Sequence, residues 1–121
     1  MNYSEIEQAL IEFRNKKGWQ KYHNLKDLAI SLNIESSEVL EIFQWHNANQ
    51  KLDNRENQHL QEELADTLIY IFYMCEKLQV DPFEIVAQKM KINQSRHWDT
   101  ERKHNSNEEA NLQFNLLSAK S

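Results

Sequence analysis

Two pairs of acidic residues have the type and spacing expected of metal ligands. Glu35 and Glu38 are three residues apart, and Glu63 and Asp66 repeat that spacing later in the chain. Residues three apart on a helix share a face, so each pair would present two carboxylates together. Acidic pairs of this kind are usually solvated, because charged side chains are mostly exposed.

The apolar surroundings of both pairs argue against a solvated surface. Leu32 and Val39 lie on the same helical stripe as Glu35, and Leu60 lies beside Glu63 in the same way. Burying several ionised carboxylates together is prohibitive unless a cation neutralises them. Oxygen ligands with no nearby His or Cys favour a hard ion, Mg²⁺ or Mn²⁺, over Zn²⁺. Such an ion keeps positions open for phosphate oxygens, which points to phosphoryl chemistry.

The composition predicts that helices position these acids. One Gly and one Pro among 121 residues are too few for the turns of an all-β fold. Ser4, with Glu7 three residues later, is the predicted cap of the first helix, and Asn24 is the predicted cap of the second. Gly18 marks the end of the first helix, and Pro82 marks the start of the fourth. The predicted helices span about residues 2–16, 25–46, 58–78 and 82 to 93 or beyond, with a polar loop at 47–57 and a short amphipathic segment at 112–117.

The middle of the third helix, residues 68–75, is apolar on every side. Its β-branched and aromatic content is also typical of a strand, but the pattern continues through residues 61–67 without a turn residue, which favours a helix. A helix that is apolar all round must be covered all round, which four helices of one chain can hardly achieve. We therefore expect an all-α, four-helix-bundle-like single domain over 1–121, with a core at about 1–98 and a polar tail at 99–121, completed by dimerisation through this helix.

Charge and cysteine content restrict the setting of the protein. The net charge of −5 and the pI near 5.5 argue against a nucleic-acid-binding surface, although a bound metal would still allow a phosphate-bearing ligand. The single Cys75 lies in an apolar helical pattern, and a lone thiol fits a reducing, cytoplasmic location. The N-terminus lacks the apolar segment of a signal peptide, and no apolar run reaches membrane-spanning length.

A di-iron carboxylate bundle is the competing metal-site interpretation. Such bundles use two Glu-x-x-His motifs, and this chain has one at Glu56 and His59 and another at Glu101 and His104. Both motifs lie in polar, loop-like stretches of the sequence. We therefore expect neither of them to face a bundle interior.

Around the acidic pairs the chain resembles the MazG-like all-α nucleoside triphosphate pyrophosphohydrolases. The resemblance rests on YHNLKDLAISLNIESSEVLEIFQW and QEELADTLIYIFYMCEKLQVD, which contain the family's E-x-x-E and E-x-x-D motifs. It is greatest to the branch that holds integron-type MazG proteins and animal dCTP pyrophosphatase. The match runs from about Trp19 to Trp98 and leaves the C-terminal tail uncovered.

The resemblance implies Mg²⁺ binding by Glu35, Glu38, Glu63 and Asp66. It also implies aromatic and histidine residues around the base and sugar, and a polar pair that faces the phosphates. Without the motif, Trp45 and Tyr70 are also typical of core aromatics, whereas Trp19 follows a glycine in a connector and is harder to explain as core. His23 is also typical of a turn or helix cap, and the polar pair of a solvated helix face. The implied pocket residues are Trp19, Tyr22, His23, Trp45 and Tyr70, and the implied phosphate contacts are Lys89 and Asn93, assisted by Arg96.

The activity that the resemblance implies is attack by water on the α-phosphorus of a nucleoside triphosphate, with dCTP-like deoxynucleotides first among substrates. The products would be a nucleoside monophosphate and pyrophosphate, the role would be cleaning the nucleotide pool, and the active form would be a homodimer or homotetramer. Glu38 and Glu41 are both candidates for accepting the proton of the water. Two alternatives stay open: a non-catalytic helical interaction or regulatory module, and a diphosphohydrolase or phosphodiesterase.

Overall fold

The computed structural model describes the backbone of residues 1–104 and the side chains of residues 1–96. Within that part of the chain all regular structure is helical, which confirms the all-α prediction. The predicted segment at 112–117 lies outside the described residues. The elements are α1 (Tyr3–Lys16), a 3₁₀ helix (Trp19–Tyr22), α2 (Leu25–Glu41), α3 (Asn54–Leu78) and α4 (Pro82–His104).

Reciprocal capping boxes begin α1 and α3, and both were missed in the sequence. Asn2 Oδ1 accepts from the Glu5 N–H at 2.9 Å while the Glu5 carboxylate accepts from the Asn2 N–H, so the predicted cap at Ser4 is wrong. Asp53 and Glu56 bond in the same way, at 2.8 and 3.0 Å. The third helix therefore begins four residues before the predicted position, and the predicted loop at 47–57 is too long.

The second helix ends at Glu41 rather than at the predicted His46. The Phe43 N–H donates to the Leu40 carbonyl and the His46 N–H donates to the Phe43 carbonyl, both at 3.0 Å, so tight three-residue turns replace the helical pattern. His46 Nε2 also lies 2.6 Å from Glu56 Oε2, which ties this turn to the start of α3.

Three predicted local signals are confirmed. Asn24 caps α2 by accepting from the Asp27 N–H at 2.8 Å, and Pro82 is the first residue of α4. Gly18 follows α1 with φ of 72°, a left-handed conformation that glycine adopts without a Cβ clash. The helix prediction for residues 68–75 is also confirmed, because they lie inside α3.

Two helices, α2 and α3, form the principal packed pair and run antiparallel. His23, just before α2, stacks edge-on against Tyr73 with ring centroids 4.6 Å apart, whereas His46, after α2, pairs with Glu56 near the start of α3. Residue numbers rise along one helix as they fall along the other. This direction decides which acids of the two motifs meet.

The first helix is attached to the distal half of α3 by polar contacts. Tyr73 Oη donates to the Leu10 carbonyl at 3.1 Å, and Arg14 pairs with Glu76 at 2.9 Å. The Arg14 side chain is buried, and its ion pair with Glu76 offsets the cost of burying the guanidinium. These contacts hold α1 and the following 3₁₀ helix close to the end of the α2–α3 pair.

A single chain buries few apolar side chains. Among the described residues, Leu28, Tyr73 and Cys75 are the buried apolar ones, and the burial of Cys75 agrees with its predicted apolar position. Several large apolar side chains on α2 and α3 are about half exposed: Ile30 at 50%, Ile34 at 54%, Leu64 at 46% and Leu68 at 49%. The core of one chain is therefore small for its apolar content.

The chain divides into two compact units at Pro82. The first unit, Met1–Pro82, contains the acidic motifs, and the second begins at Phe83 and contains almost all of α4. The single-domain interpretation stays a prediction. No helix within residues 1–104 combines the length and hydropathy that a membrane span requires.

Candidate functional site

Three of the four predicted metal ligands converge at the interface of α2 and α3. Carboxylate oxygens of Glu35, Glu63 and Asp66 all lie within 4.8 Å of one another. Glu35 comes from α2, whereas Glu63 and Asp66 project from one face of α3, where their three-residue spacing places them together. One cation between the helices would therefore contact acids from both.

Two oxygens of this cluster are buried without a hydrogen-bond partner among the described residues. They are Glu35 Oε2 and Glu63 Oε2. A buried carboxylate oxygen that accepts no hydrogen bond is costly, and a metal ion satisfies it. Burial, followed by the charges of Glu38 and Asp66, raises the pKa of Glu35 from 4.5 to about 7. The donor set, all carboxylate oxygen, fits a hard divalent ion.

Glu38 lies beside the cluster rather than within it. The neighbouring Glu63 carboxyl raises the pKa of Glu38, by a hydrogen bond and by its charge, which places these two side chains next to each other. His59, one turn before Glu63 on α3, has its Nε2 at 3.3 Å from Glu63 Oε1. His59 lies within the predicted third helix but was not among the predicted site residues; its four-residue spacing from Glu63 on that helix is the signal that would have found it.

A cavity of about 330 Å³ adjoins the acidic cluster along the same two helices. Its volume is within the range of small-molecule sites. Ser31 is one turn before Glu35 on α2, and Tyr70 is one turn after Asp66 on α3. Four of the five predicted pocket residues line this cavity, together with residues of α2 that were not predicted. The lining consists of Trp19, Tyr22, His23, Asp27, Leu28, Ser31 and Tyr70.

The aromatic side of the cavity is held by ring contacts. Trp19 packs edge-on against Phe13 at 5.4 Å, which attaches the 3₁₀ helix to α1. Tyr70 packs edge-on against Tyr73 at 6.4 Å. Trp19 remains 42% exposed, so the cavity is open on this side and a flat ligand can reach the ring.

His23 is the buried histidine of the cavity wall. Burial, and then the nearby charge of Arg14, lowers the pKa of His23, which keeps the imidazole neutral near pH 7. Its Nδ1 is buried and has no hydrogen-bond partner among the described residues. A neutral ring with an unsatisfied nitrogen can bind a polar group of a ligand.

The remaining predicted residues lie elsewhere. Trp45 follows α2 in the turn, is 87% exposed and does not line the cavity of its own chain. Lys89 and Asn93 are exposed and share one face of α4, and Arg96 is exposed on the same helix. Their roles, and that of Trp45, stay predictions.

The ground on which we rejected the di-iron interpretation was wrong, because both motifs lie in helices. Glu56 and His59 are in the first turns of α3, and Glu101 and His104 are in the last turns of α4. Glu56 is nevertheless outside the convergent cluster and pairs with His46.

Comparisons with known proteins show the family of this chain. Residues 30–112 match the MazG-like family. Human dCTP pyrophosphatase 1 is 34% identical over 97 residues, which cover 77% of this chain and 57% of that protein, and the mouse protein is 32% identical over the same shares. The crystal structure of a pyrophosphatase from Archaeoglobus fulgidus is similar with a TM-score of 0.67 and 38% identity, covering 77% of this chain and 89% of that one. The chain thus spans a little over half the length of the curated relatives that it matches.

Proposed function

Because the chain belongs to the MazG-like family, we propose that it is a Mg²⁺-dependent nucleoside triphosphate pyrophosphohydrolase acting on dCTP-like deoxynucleotides. The observation that carries the proposal is the convergence of Glu35, Glu63 and Asp66, with two buried and unsatisfied oxygens, beside an aromatic cavity. The mammalian relatives named dCTP pyrophosphatase and the archaeal pyrophosphatase support the reaction class.

The acidic cluster would hold Mg²⁺, with Mn²⁺ as a substitute. Glu35, Glu63 and Asp66 would be ligands, and Glu38 is close enough to Glu63 to join them. When bound, the ion would neutralise charge on the triphosphate during in-line displacement. The carboxylates project from two helices and make the space between them electronegative. Such a site repels a triphosphate that carries no cation, so substrate binding would require the cation.

In the reaction, a water oxygen forms a bond to the α-phosphorus and the bond to the bridging oxygen breaks. The products are a nucleoside monophosphate and pyrophosphate, and the proton of the water passes to a carboxylate, with Glu38 and Glu41 as the two candidates. Trp19 would stack on the base. Lys89 and Asn93, which carry one cation and one amide on a single face of α4, would bind the departing pyrophosphate. The resulting activity would remove unwanted nucleotides from the pool.

We also propose that the active form is a homodimer or homotetramer. Ile30 and Ile34 on α2, and Leu64 and Leu68 on α3, each form an exposed apolar pair four residues apart. Large exposed apolar surfaces on a small chain are typical of association sites. A second copy would cover these pairs and enlarge the small core.

Product analysis with labelled water tests the reaction. The protein is incubated with a panel of ribo- and deoxynucleoside triphosphates and Mg²⁺ in ¹⁸O-water, and products are identified by mass. Attack on the α-phosphorus places the label in the monophosphate and leaves pyrophosphate unlabelled. Label in pyrophosphate would mean attack on the β-phosphorus, and orthophosphate as the released product would refute the pyrophosphohydrolase assignment in favour of the diphosphohydrolase alternative.

Conservative variants test the site. Glu63→Gln and Glu38→Gln should retain the fold and lose turnover, and EDTA should abolish turnover of the wild type. Glu12→Gln is the matched control, because Glu12 is exposed on α1 and accepts a hydrogen bond from Gln8 Nε2 at 3.0 Å. Turnover that survives EDTA would exclude the metal. Absence of turnover with every triphosphate, together with a melting curve insensitive to Mg²⁺, would favour the interaction module.

A further inference from the structure

One face of α2 leads from the acidic cluster into the cavity. Asp27, Ser31 and Glu35 are four residues apart in sequence, so they lie in a column along the helix, and the first two line the cavity. At 1.5 Å per residue, Asp27 is about 12 Å along the helix from Glu35. Tyr70 lines the cavity opposite, one turn beyond Asp66 on the antiparallel helix.

This order matches the order of groups in a nucleotide. If the phosphates bind at the acids, the sugar lies near Ser31 and Tyr70, and the base extends toward Asp27. Trp19 and Tyr22, two exposed aromatic side chains, line the same cavity. The edge of the base farthest from the phosphates would therefore meet the Asp27 carboxylate.

The Asp27 carboxylate is held in place and has hydrogen-bonding capacity to spare. Its Oδ2 accepts from Asn24 Nδ2 at 2.7 Å, and the Asp27 N–H donates to Asn24 Oδ1 at 2.8 Å. Within residues 1–96 the side chain has no hydrogen-bond partner other than Asn24. Asp27 is in the first turn of α2, where the helix dipole favours a negative charge. An ionised carboxylate accepts hydrogen bonds and cannot donate them.

We propose that Asp27 is a specificity-determining residue that accepts a hydrogen bond from the exocyclic amino group of a cytosine-type base. The inference rests on the proposed function, since it requires the triphosphate to bind at the acids. Uracil and thymine carry a carbonyl oxygen in place of that amino group, so two acceptors would face each other. Ser31 does not discriminate in this way, because its hydroxyl both donates and accepts. The site therefore selects amino-substituted over keto pyrimidines.

The test compares dCTP and dUTP, which differ at the C4 substituent, amino or carbonyl, and at the adjacent N3, an acceptor in cytosine and an N–H donor in uracil. The wild type should show a kcat/KM ratio in favour of dCTP of about tenfold or more, as expected for a lost hydrogen bond to a charged group. Asp27→Asn should bring the ratio close to one by raising activity on dUTP, because an amide both donates and accepts. The substitution keeps the Asn24 cap, which uses the backbone N–H of residue 27. Glu12→Gln, the matched charge control, should leave the ratio unchanged.

Three results would overturn the inference while leaving the proposed function intact. The first is a wild type that hydrolyses dCTP and dUTP with equal kcat/KM, and the second is an Asp27→Asn variant that loses activity on both substrates equally. The third is an Asp27→Asn variant that changes the CTP-to-dCTP ratio instead, which would assign Asp27 to the sugar. Failure of the proposed function is recognised separately, as no release of pyrophosphate from any triphosphate. In that event, or if the variant fails to fold, the affinities of the wild type for dCMP and dUMP, measured by quenching of its tryptophan fluorescence, decide. Equal affinities overturn the inference, and tighter binding of dCMP supports it.

Discussion

Replacing Glu35 with Gln should stabilise the metal-free protein and reduce its response to Mg²⁺. The pKa of Glu35 is raised from 4.5 to about 7, first by burial and then by the charges of Glu38 and Asp66. An acid whose pKa is higher in the folded state opposes folding once it ionises. The contribution of Glu35 to the free energy of unfolding therefore falls as pH rises from about 4.5 to about 7 and is constant above that range.

The magnitude follows from the size of that shift. A difference between 4.5 and about 7 corresponds to about 3 kcal/mol above pH 7. Glu35 is half-buried, so solvent screening reduces the effect to about 1–2 kcal/mol. Gln has nearly the same shape and no charge, so Glu35→Gln should raise the midpoint of thermal unfolding by about 5 °C near pH 8. The gain should vanish near pH 4, where the wild-type acid is protonated as well.

Urea unfolding at fixed protein concentration measures both effects. Wild type, Glu35→Gln and the control Glu12→Gln are compared in EDTA near pH 8 and then titrated with Mg²⁺. At 100 times its Kd the ion should stabilise the wild type by about 3 kcal/mol, and Glu35→Gln by much less. The reasoning is refuted if Glu35→Gln is no more stable than the control in EDTA, or if Mg²⁺ stabilises both variants as much as the wild type.

Three further predictions concern the scaffold. Arg14→Met should lower the free energy of unfolding by about 2 kcal/mol because it leaves Glu76 unpaired, whereas Arg14→Lys should cost less; equal losses in urea would show that packing, not charge, matters. His23 has a lowered pKa, so its contribution to stability is complete above pH 6.5 and is lost as pH falls below it. His23→Asn should remove that slope from unfolding curves between about pH 7.5 and 5; an unchanged slope would assign it to other groups. Leu68→Glu should reduce the mass measured by light scattering to that of a monomer, whereas the exposed-site control Gln61→Glu should not; an unchanged oligomer would place the interface elsewhere.

Helix boundaries show where local reasoning from the sequence succeeds and where it fails. Asn24, Gly18 and Pro82 were identified correctly because each has a single strong local preference. Two capping boxes were missed, at Asn2 and Asp53, because polar side chains in a hydrophilic stretch are typical of loops as well as caps. The end of α2 could not be predicted, since the turn that replaces it is accompanied by a long-range contact between His46 and Glu56.

The sequence by itself determined the helical class, the faces that carry the acids and the carboxylate chemistry of the cluster that they form. These depend on composition and on the 3.6-residue period, which are local properties. Tertiary structure decided the register of α2 against α3. That register brought Glu35 together with Glu63 and Asp66, left Glu38 at the side, and opened the cavity at Ser31 and Tyr70. Periodicity specifies a face but not the sliding position of one helix along another, which is set by the packing of particular side chains and by contacts such as that of His23 with Tyr73.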